Sequence, residues 1–116
     1  MKFHALLIKN SMIVKTKFIL KGFQAMSLWP FILVLPEHSS NTGLIEHELV
    51  HYREQAWIAP IWWLRYLFSK SFRQAAEVRA YKRQIEVGGI TKEWAAVMLL
   101  SYNLNITFDA ALKEFK

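Results

Sequence analysis

The chain has 116 residues, of which 53% are hydrophobic and 15% aromatic. This length suits one domain with a buried core, so we expect a single domain over residues 1–116. The composition excludes a disordered protein. The sequence contains no cysteine, which excludes disulfides and thiolate metal sites, so a bound metal would need His, Asp or Glu ligands.

The formal net charge of +6 at pH 7 is unevenly distributed along the chain. The first 36 residues contain five lysines and no acid, and all nine acidic residues lie from Glu37 onward. The simpler explanation is that these lysines lie on exposed strands and block edge pairing. The alternative is that the Lys-rich N-terminal part contacts an anionic or membrane surface. On the interpretation preferred at the end of this section, nucleic acid is not expected as a partner.

No apolar run of the sequence reaches the roughly 20 residues needed to span a bilayer. The longest aromatic segment, residues 57–68, is interrupted by Pro60 and Arg65. The N-terminal lysines also break up every apolar stretch that a secretory signal would need. We therefore expect a cytoplasmic protein, with peripheral membrane association as a second option.

The first 36 residues have the pattern of a small sheet. Residues 3–8, 12–20 and 31–35 are rich in Ile, Val, Phe and Leu, and Asn10, Ser11 and Gly22 supply breaks between them. Such segments are typical of strands. Helical spacing takes over from residue 41, so we expect an α+β fold with an antiparallel or mixed sheet packed on helices.

Four or five helices are indicated after the sheet by their end signals. The first begins near Asn41 or Thr42 and stops before Pro60, and residues 61–68 form a short aromatic helix. Residues 71–74 have the Ser-x-x-Gln form of a capping box that opens a third helix, which ends at Gly88 and Gly89. Thr91 can cap a helix over residues 92–103, and Thr107 can cap a short one that ends near residue 115.

Residues 45–51 read Ile-Glu-His-Glu-Leu-Val-His and contain the pattern His-Glu-x-x-His. At about 100° per residue, His47 and His51 lie one helical turn and about 40° apart, so both imidazoles can reach one ion. Glu48 lies on the same flank, where its carboxylate can address a metal-bound water without being a ligand. The spacing predicts a Zn2+ site with Glu48 as general base.

A catalytic zinc usually has three protein ligands and a water. No histidine follows His51, so the third ligand must be a carboxylate. Glu54 lies too close to His51 on the same helix to complete a tetrahedron easily. Glu77 lies 26 residues after His51, inside a helix that can return antiparallel to the first, and is the preferred third ligand. The remaining carboxylates are Glu86, Glu93, Asp109 and Glu114.

The combination of His47-Glu48-x-x-His51 with residues 77–81, Glu-Val-Arg-Ala-Tyr, resembles the gluzincin metallopeptidases in a reduced, phage-like or bacterial form. The resemblance covers roughly residues 31–84. It implies a zincin-like core in which the edge strand of the sheet pairs with an extended peptide substrate. On that interpretation the edge strand is residues 31–35.

One position departs from the family's pattern. Many gluzincins carry a carboxylate four residues after the glutamate ligand, where it orients the first histidine, and this chain has Tyr81 there. A phenol or a backbone carbonyl would have to replace it. No motif identifies the family's transition-state stabiliser, for which Tyr81, Tyr102 and Tyr66 are candidates in that order.

Simpler interpretations exist for each of these residues. The polar arc of the first helix consists of His47, Glu48, His51, Glu54 and Gln55, and such an arc is also typical of a solvated face. Glu77 is spaced to pair with Arg73 four residues earlier. His38 and His4 are interpreted as structural. The aromatic side chains of residues 57–68 form either core or an exposed patch that docks on a membrane or a partner.

The preferred function is that of a zinc metallopeptidase acting on a peptide or protein substrate through zinc-activated water. The first alternative is a non-catalytic, zinc-stabilised binding module. The second is a basic module that binds nucleic acid or an anionic membrane surface.

Overall fold

A computed structural model describes residues 12–116 of the chain. The predicted strand over residues 3–8, the predicted break at Asn10 and Ser11, and His4 lie outside the described residues. Within them the model confirms the α+β class, with a three-stranded mixed sheet followed by five α-helices.

The sheet consists of β1 (Met12–Lys15), β2 (Ala25–Leu28) and β3 (Phe31–Val34). β3 is the central strand, with β1 parallel on one side and β2 antiparallel on the other. The strand predicted over residues 12–20 ends at Lys15, because the chain then turns through Gly22, whose φ of 93° suits glycine.

Strand β2 was not predicted, and the prediction that residues 31–35 form the edge strand is wrong. β2 and β3 form a hairpin through Trp29 and Pro30, whose peptide bond is cis. This hairpin places β3 in the middle and leaves β2 as a free edge among the described strands. β2 also lies against the first helix, where Ser27 contacts Glu48.

Most helix starts match the capping signals in the sequence. The side chains of Asn41, Thr91 and Thr107 each accept a hydrogen bond from the backbone N–H three residues later. Single 3-10 turns lie at Pro36–His38 and Leu100–Tyr102, and the second extends α4 towards its predicted end. The helices are α1 (Thr42–Gln55), α2 (Ala59–Phe68), α3 (Lys70–Glu86), α4 (Lys92–Leu99) and α5 (Phe108–Lys113).

The predicted capping box at residues 71–74 is wrong by two residues. Ser69 is the cap, because its backbone is extended and its Oγ accepts from Phe72 N–H at 3.2 Å. Ser71 lies inside the first turn, and the Gln74 amide donates to Glu114 at 2.6 Å instead of reaching back to the cap. α3 still ends at the predicted glycines, with Gly89 N–H bonded to the carbonyl of Gln84 at 2.9 Å.

Helices α1 and α3 run antiparallel and touch closely at one end. A Cβ placed on Gly43 would lie 2.9 Å from Gly89 Cα, so only glycine permits this approach. Further along the pair, Glu46 meets Arg83 and Glu54 meets Arg79. The pairing places α3 across the polar side of α1.

The core is built around these two helices. α1 packs Ile45 and Leu49 against Ile32 and Val34 of β3. The inner side of α2 contributes buried Trp62 and Tyr66, whereas Trp57 and Phe68 are exposed, so the aromatic segment forms both core and surface. None of the described helices combines the length and the apolar character that a membrane crossing requires. The largest cluster joins α3, α4 and α5 through Val78, Tyr81, Ala95, Ala96, Leu99, Leu104, Ala111 and Phe115.

Candidate metal centre

The α1–α3 pair brings together His47, His51 and Glu77. The Nε2 atoms of His47 and His51 lie 3.0 and 3.3 Å from the same oxygen, Glu77 Oε1. One ligand atom from each residue lies within 4.8 Å of the others. The three residues are only 3–4% exposed, so the interpretation of this arc as a solvated face is wrong, because α3 covers it.

The alternative partner of Glu77, Arg73, is engaged elsewhere. Its guanidinium donates to the backbone carbonyls of Tyr66 and Tyr102, at 2.7 and 2.9 Å. Glu54, the other nearby carboxylate, pairs with Arg79 at 2.6 Å. Glu77 is therefore the carboxylate that faces both imidazoles.

The donor set and its spacing fit a metal ion. Zinc bonds of about 2.0–2.1 Å in a tetrahedron place neighbouring ligand atoms about 3.3–3.4 Å apart, close to the two separations measured here. Imidazole nitrogens and a carboxylate oxygen are common zinc ligands. The three ligand atoms lie close enough together for one cation to be bound by all of them.

The electrostatics of the group also favour a cation. Burial lowers the pKa of His51, but the Glu77 carboxylate and, to a lesser degree, Glu54 outweigh this and raise that pKa to about 10. Burial raises the pKa of Glu77, but the charge on His51 and hydrogen bonds from both histidines hold it well below its usual range. The centre thus contains a buried negative charge that a proton or a metal ion can balance.

Gln84 orients the first histidine. Its Oε1 lies 3.0 Å from His47 Nδ1, and because an amide oxygen only accepts, Nδ1–H donates to it, which would leave Nε2 as the metal-binding nitrogen of His47. The family pattern places this orienting group at the position of Tyr81. The Tyr81 ring instead packs edge-on against His47, with centroids 4.3 Å apart, and its hydroxyl bonds to Tyr102 at 2.8 Å.

Tyr66 holds the second oxygen of the candidate ligand. Its hydroxyl donates to Glu77 Oε2 at 2.5 Å, while its ring stacks on Trp62 at 5.0 Å. Burial and the Glu77 carboxylate raise the pKa of this phenol, so it stays a donor. The bond fixes the rotation of the carboxylate and leaves Oε1 for the two imidazoles.

Tyr66→Phe is expected to weaken zinc binding by about 10- to 100-fold, because Glu77 loses its only outer hydrogen-bond donor from α2. The ring stacking on Trp62 persists, so the fold should be retained. Competition with a chromophoric chelator measures the affinity. Tyr81→Phe is the matched control, since that hydroxyl bonds to Tyr102 instead of a candidate ligand. Equal losses in both variants would contradict the assignment.

Glu48 lies beside the three candidate ligands and is held by the sheet edge. The Oγ of Ser27 lies 2.9 Å from Glu48 Oε1 and 2.6 Å from the Glu48 backbone carbonyl, and its single proton can serve either. Ser27 itself is 1% exposed. This contact positions the carboxylate predicted as general base, and no local pattern around Ser27 indicated it.

A cavity of about 370 Å³ reaches all four residues, His47, Glu48, His51 and Glu77. Residues 21–27, which include most of β2, form one wall. The opposite walls come from α2, through Trp62, Trp63 and Tyr66, and from Tyr81 and Tyr102. All three tyrosines considered as transition-state stabilisers therefore line the cavity, although the Tyr66 hydroxyl is committed to Glu77.

Gly43→Ala should separate α1 from α3 and disturb the centre. The added methyl group meets backbone that cannot rotate away, so we expect a loss of about 1–3 kcal/mol in the free energy of unfolding and weaker zinc binding through the Gln84–His47 contact. Gly88→Ala is the control. Its Cβ meets nothing within 4 Å, and the cost of about 1–2 kcal/mol comes from its positive φ alone.

Denaturant unfolding and zinc titration of both variants check this prediction. A similar loss of stability with normal zinc affinity is expected for Gly88→Ala. If Gly43→Ala also retained normal affinity, the close helix contact would be unrelated to the centre.

Comparison with protein-family models, with curated protein sequences and with solved structures finds no match to this chain. The resemblance to the gluzincins therefore stays a prediction that rests on the residues of the centre.

Proposed function

We propose that this protein is a zinc-dependent metallopeptidase in which His47, His51 and Glu77 bind Zn2+ and Glu48 is the general base. The convergence of two imidazole nitrogens on one oxygen of Glu77, at 3.0 and 3.3 Å, is the observation that carries the proposal. The position of the three candidate ligands supports catalysis, because Glu48 and an open cavity lie beside them.

Zinc in such a site lowers the pKa of a coordinated water and polarises a carbonyl group. Glu48 would accept a proton from the attacking water and deliver it to the leaving amine. The hydroxyl of Ser27 holds Oε1 of that carboxylate, which leaves Oε2 for the transfer. Gln84 orients His47 through a hydrogen bond to Nδ1. Tyr66 orients Glu77 through a hydrogen bond to Oε2.

The free edge of β2 supports a peptide as substrate. Leu35 N–H donates to the Gln24 carbonyl, and because antiparallel pairs alternate, the N–H and C=O of Ala25 and Ser27 point away from β3. The Ser27 carbonyl already accepts from Gln55 Nε2 and Trp63 Nε1, at 2.9 and 3.0 Å. The backbone of Ala25 is therefore available to pair with an extended peptide. We propose this pairing instead of the one expected for residues 31–35, because β3 is the central strand.

The test is metal analysis of the purified protein together with hydrolysis of a quenched fluorescent peptide library. We expect one zinc per chain, and cleavage that a chelator removes and added zinc restores. A chain that binds zinc but cleaves no peptide would instead be a zinc-stabilised binding module. Binding of nucleic acid that is strongly salt-dependent and insensitive to the chelator would favour the basic module.

A further inference from the structure

Helix α2 exposes an unusually apolar outer face. Trp57, just before the helix, is 85% exposed, Phe68 at its end is 81% exposed, and Leu64 between them is 59% exposed. Ile61, Leu64 and Phe68 are spaced three and four residues apart on α2 and so share one side of the helix, and Trp57 lies two residues before its first residue. The apolar ridge, as we call it, consists of Trp57, Ile58, Ile61, Leu64, Leu67 and Phe68.

Trp57 differs from the rest of the ridge because its backbone conformation is unfavourable. Its φ of 65° is in the left-handed region, which disfavours bulky side chains and suits glycine or asparagine. The ring contacts Trp29, with centroids 4.5 Å apart, but gains little burial, since it is 85% exposed. Stability of the fold does not explain an exposed tryptophan at this position. Contact of its ring with an apolar environment outside the protein would explain it.

The charge around the ridge is positive. Between Glu54 and Glu77 the chain contains no acid and three bases, of which Arg65 and Lys70 are exposed. Arg65 lies on the outer side of α2, and its guanidinium covers the Phe72 ring at 4.7 Å. A second copy of the chain, with the same net charge of +6, would bring like charges together at this face.

We propose that the apolar ridge docks on the surface of an anionic phospholipid bilayer. The apolar side chains would enter the boundary between headgroups and acyl chains, and Arg65 and Lys70 would contact the headgroups. The inner side of the same helix, through Trp62 and Tyr66, contacts His51 and Glu77. Docking therefore places the metal centre one helix diameter from the lipid surface, about 10 Å.

Sedimentation of the full chain with phosphatidylcholine vesicles, with and without 30 mol% phosphatidylglycerol, tests the proposal. We expect binding to the anionic vesicles that weakens as salt is added. Phe68→Ser and Trp57→Asn should each reduce the partition coefficient by about tenfold or more. Lys70→Gln should reduce it by about fivefold. Because these side chains are exposed, the melting temperature should change little.

Trp94→Ser is the matched control, since Trp94 is a 56% exposed tryptophan on α4, outside the ridge. It should bind vesicles as the parent does, and an equal loss in this variant would overturn the ridge as the contact. Absence of vesicle binding at low salt would also overturn the proposal. Analytical ultracentrifugation without lipid gives a third outcome. Self-association that is lost in Phe68→Ser would overturn the proposal, because a second copy would then cover the ridge.

Discussion

Glu48→Gln is expected to lower kcat for peptide hydrolysis by about 10²- to 10⁴-fold, the range for loss of a general base. The amide has nearly the same shape as the carboxylate but cannot take up a proton. Ser27 can still donate to the amide oxygen as it does to Glu48 Oε1, so the side chain should stay in place. Glu48 is not one of the three grouped ligands, and zinc should remain bound.

Two measurements separate this role of Glu48 from others. Zinc content should equal that of the parent, whereas turnover of the best library peptide should be lost. Glu86→Gln is a suitable control, because this side chain lies on α3 with 68% exposure and pairs with Arg83. Loss of zinc from Glu48→Gln would make Glu48 a ligand, and full activity would place the base elsewhere.

Sequence spacing predicted those features that depend on one helix alone. His47 and His51 share a face because they are one turn apart, and Asn41, Thr91 and Thr107 cap helices through contacts three residues away. Such signals are local, so no knowledge of the tertiary fold is needed to read them. The capping error at Ser71 has the same origin, since Ser69 competes for the same turn.

Apart from the antiparallel helix that brings Glu77 to the two histidines, features that depend on packing between elements were not predicted. Burial of the polar arc on α1 results from the crossing of α3, and periodicity within α1 cannot distinguish a covered arc from a solvated one. The order of the strands is equally non-local, because four-residue strands carry too little pattern to show that β3 is central.

The supporting residues of the centre come from three different elements. Ser27 lies on β2, Tyr66 on α2 and Gln84 on α3. Gln84 alone had a usable signal, because it follows Glu77 by seven residues, or two turns, and so lies on the same face of α3. The family resemblance places the orienting group four residues after Glu77, at Tyr81, and so did not indicate Gln84.

Glu77→Ala is expected to reduce zinc affinity by more than the roughly 10- to 100-fold that loss of an outer hydrogen-bond partner causes. Both imidazoles contact Glu77 Oε1, so the change removes the third ligand and the buried negative charge together. It also leaves the hydroxyl of Tyr66 without its acceptor, which costs stability of its own. Glu77→Gln avoids that second effect, because an amide oxygen can still accept from Tyr66.

Gln84→Ala provides the comparison that decides the ligand set, since Gln84 contacts His47 Nδ1 from outside the group. Chelator competition should rank affinities as parent, then Gln84→Ala, then Glu77→Gln and Glu77→Ala. Thermal unfolding gives a second readout, because zinc at 1,000 times its Kd stabilises the parent by about 4 kcal/mol. This zinc-dependent shift should largely disappear in both Glu77 variants. If Glu77→Gln bound zinc as tightly as the parent, Glu77 would not be a ligand, and the buried cluster would be a structural ion pair between His51 and Glu77.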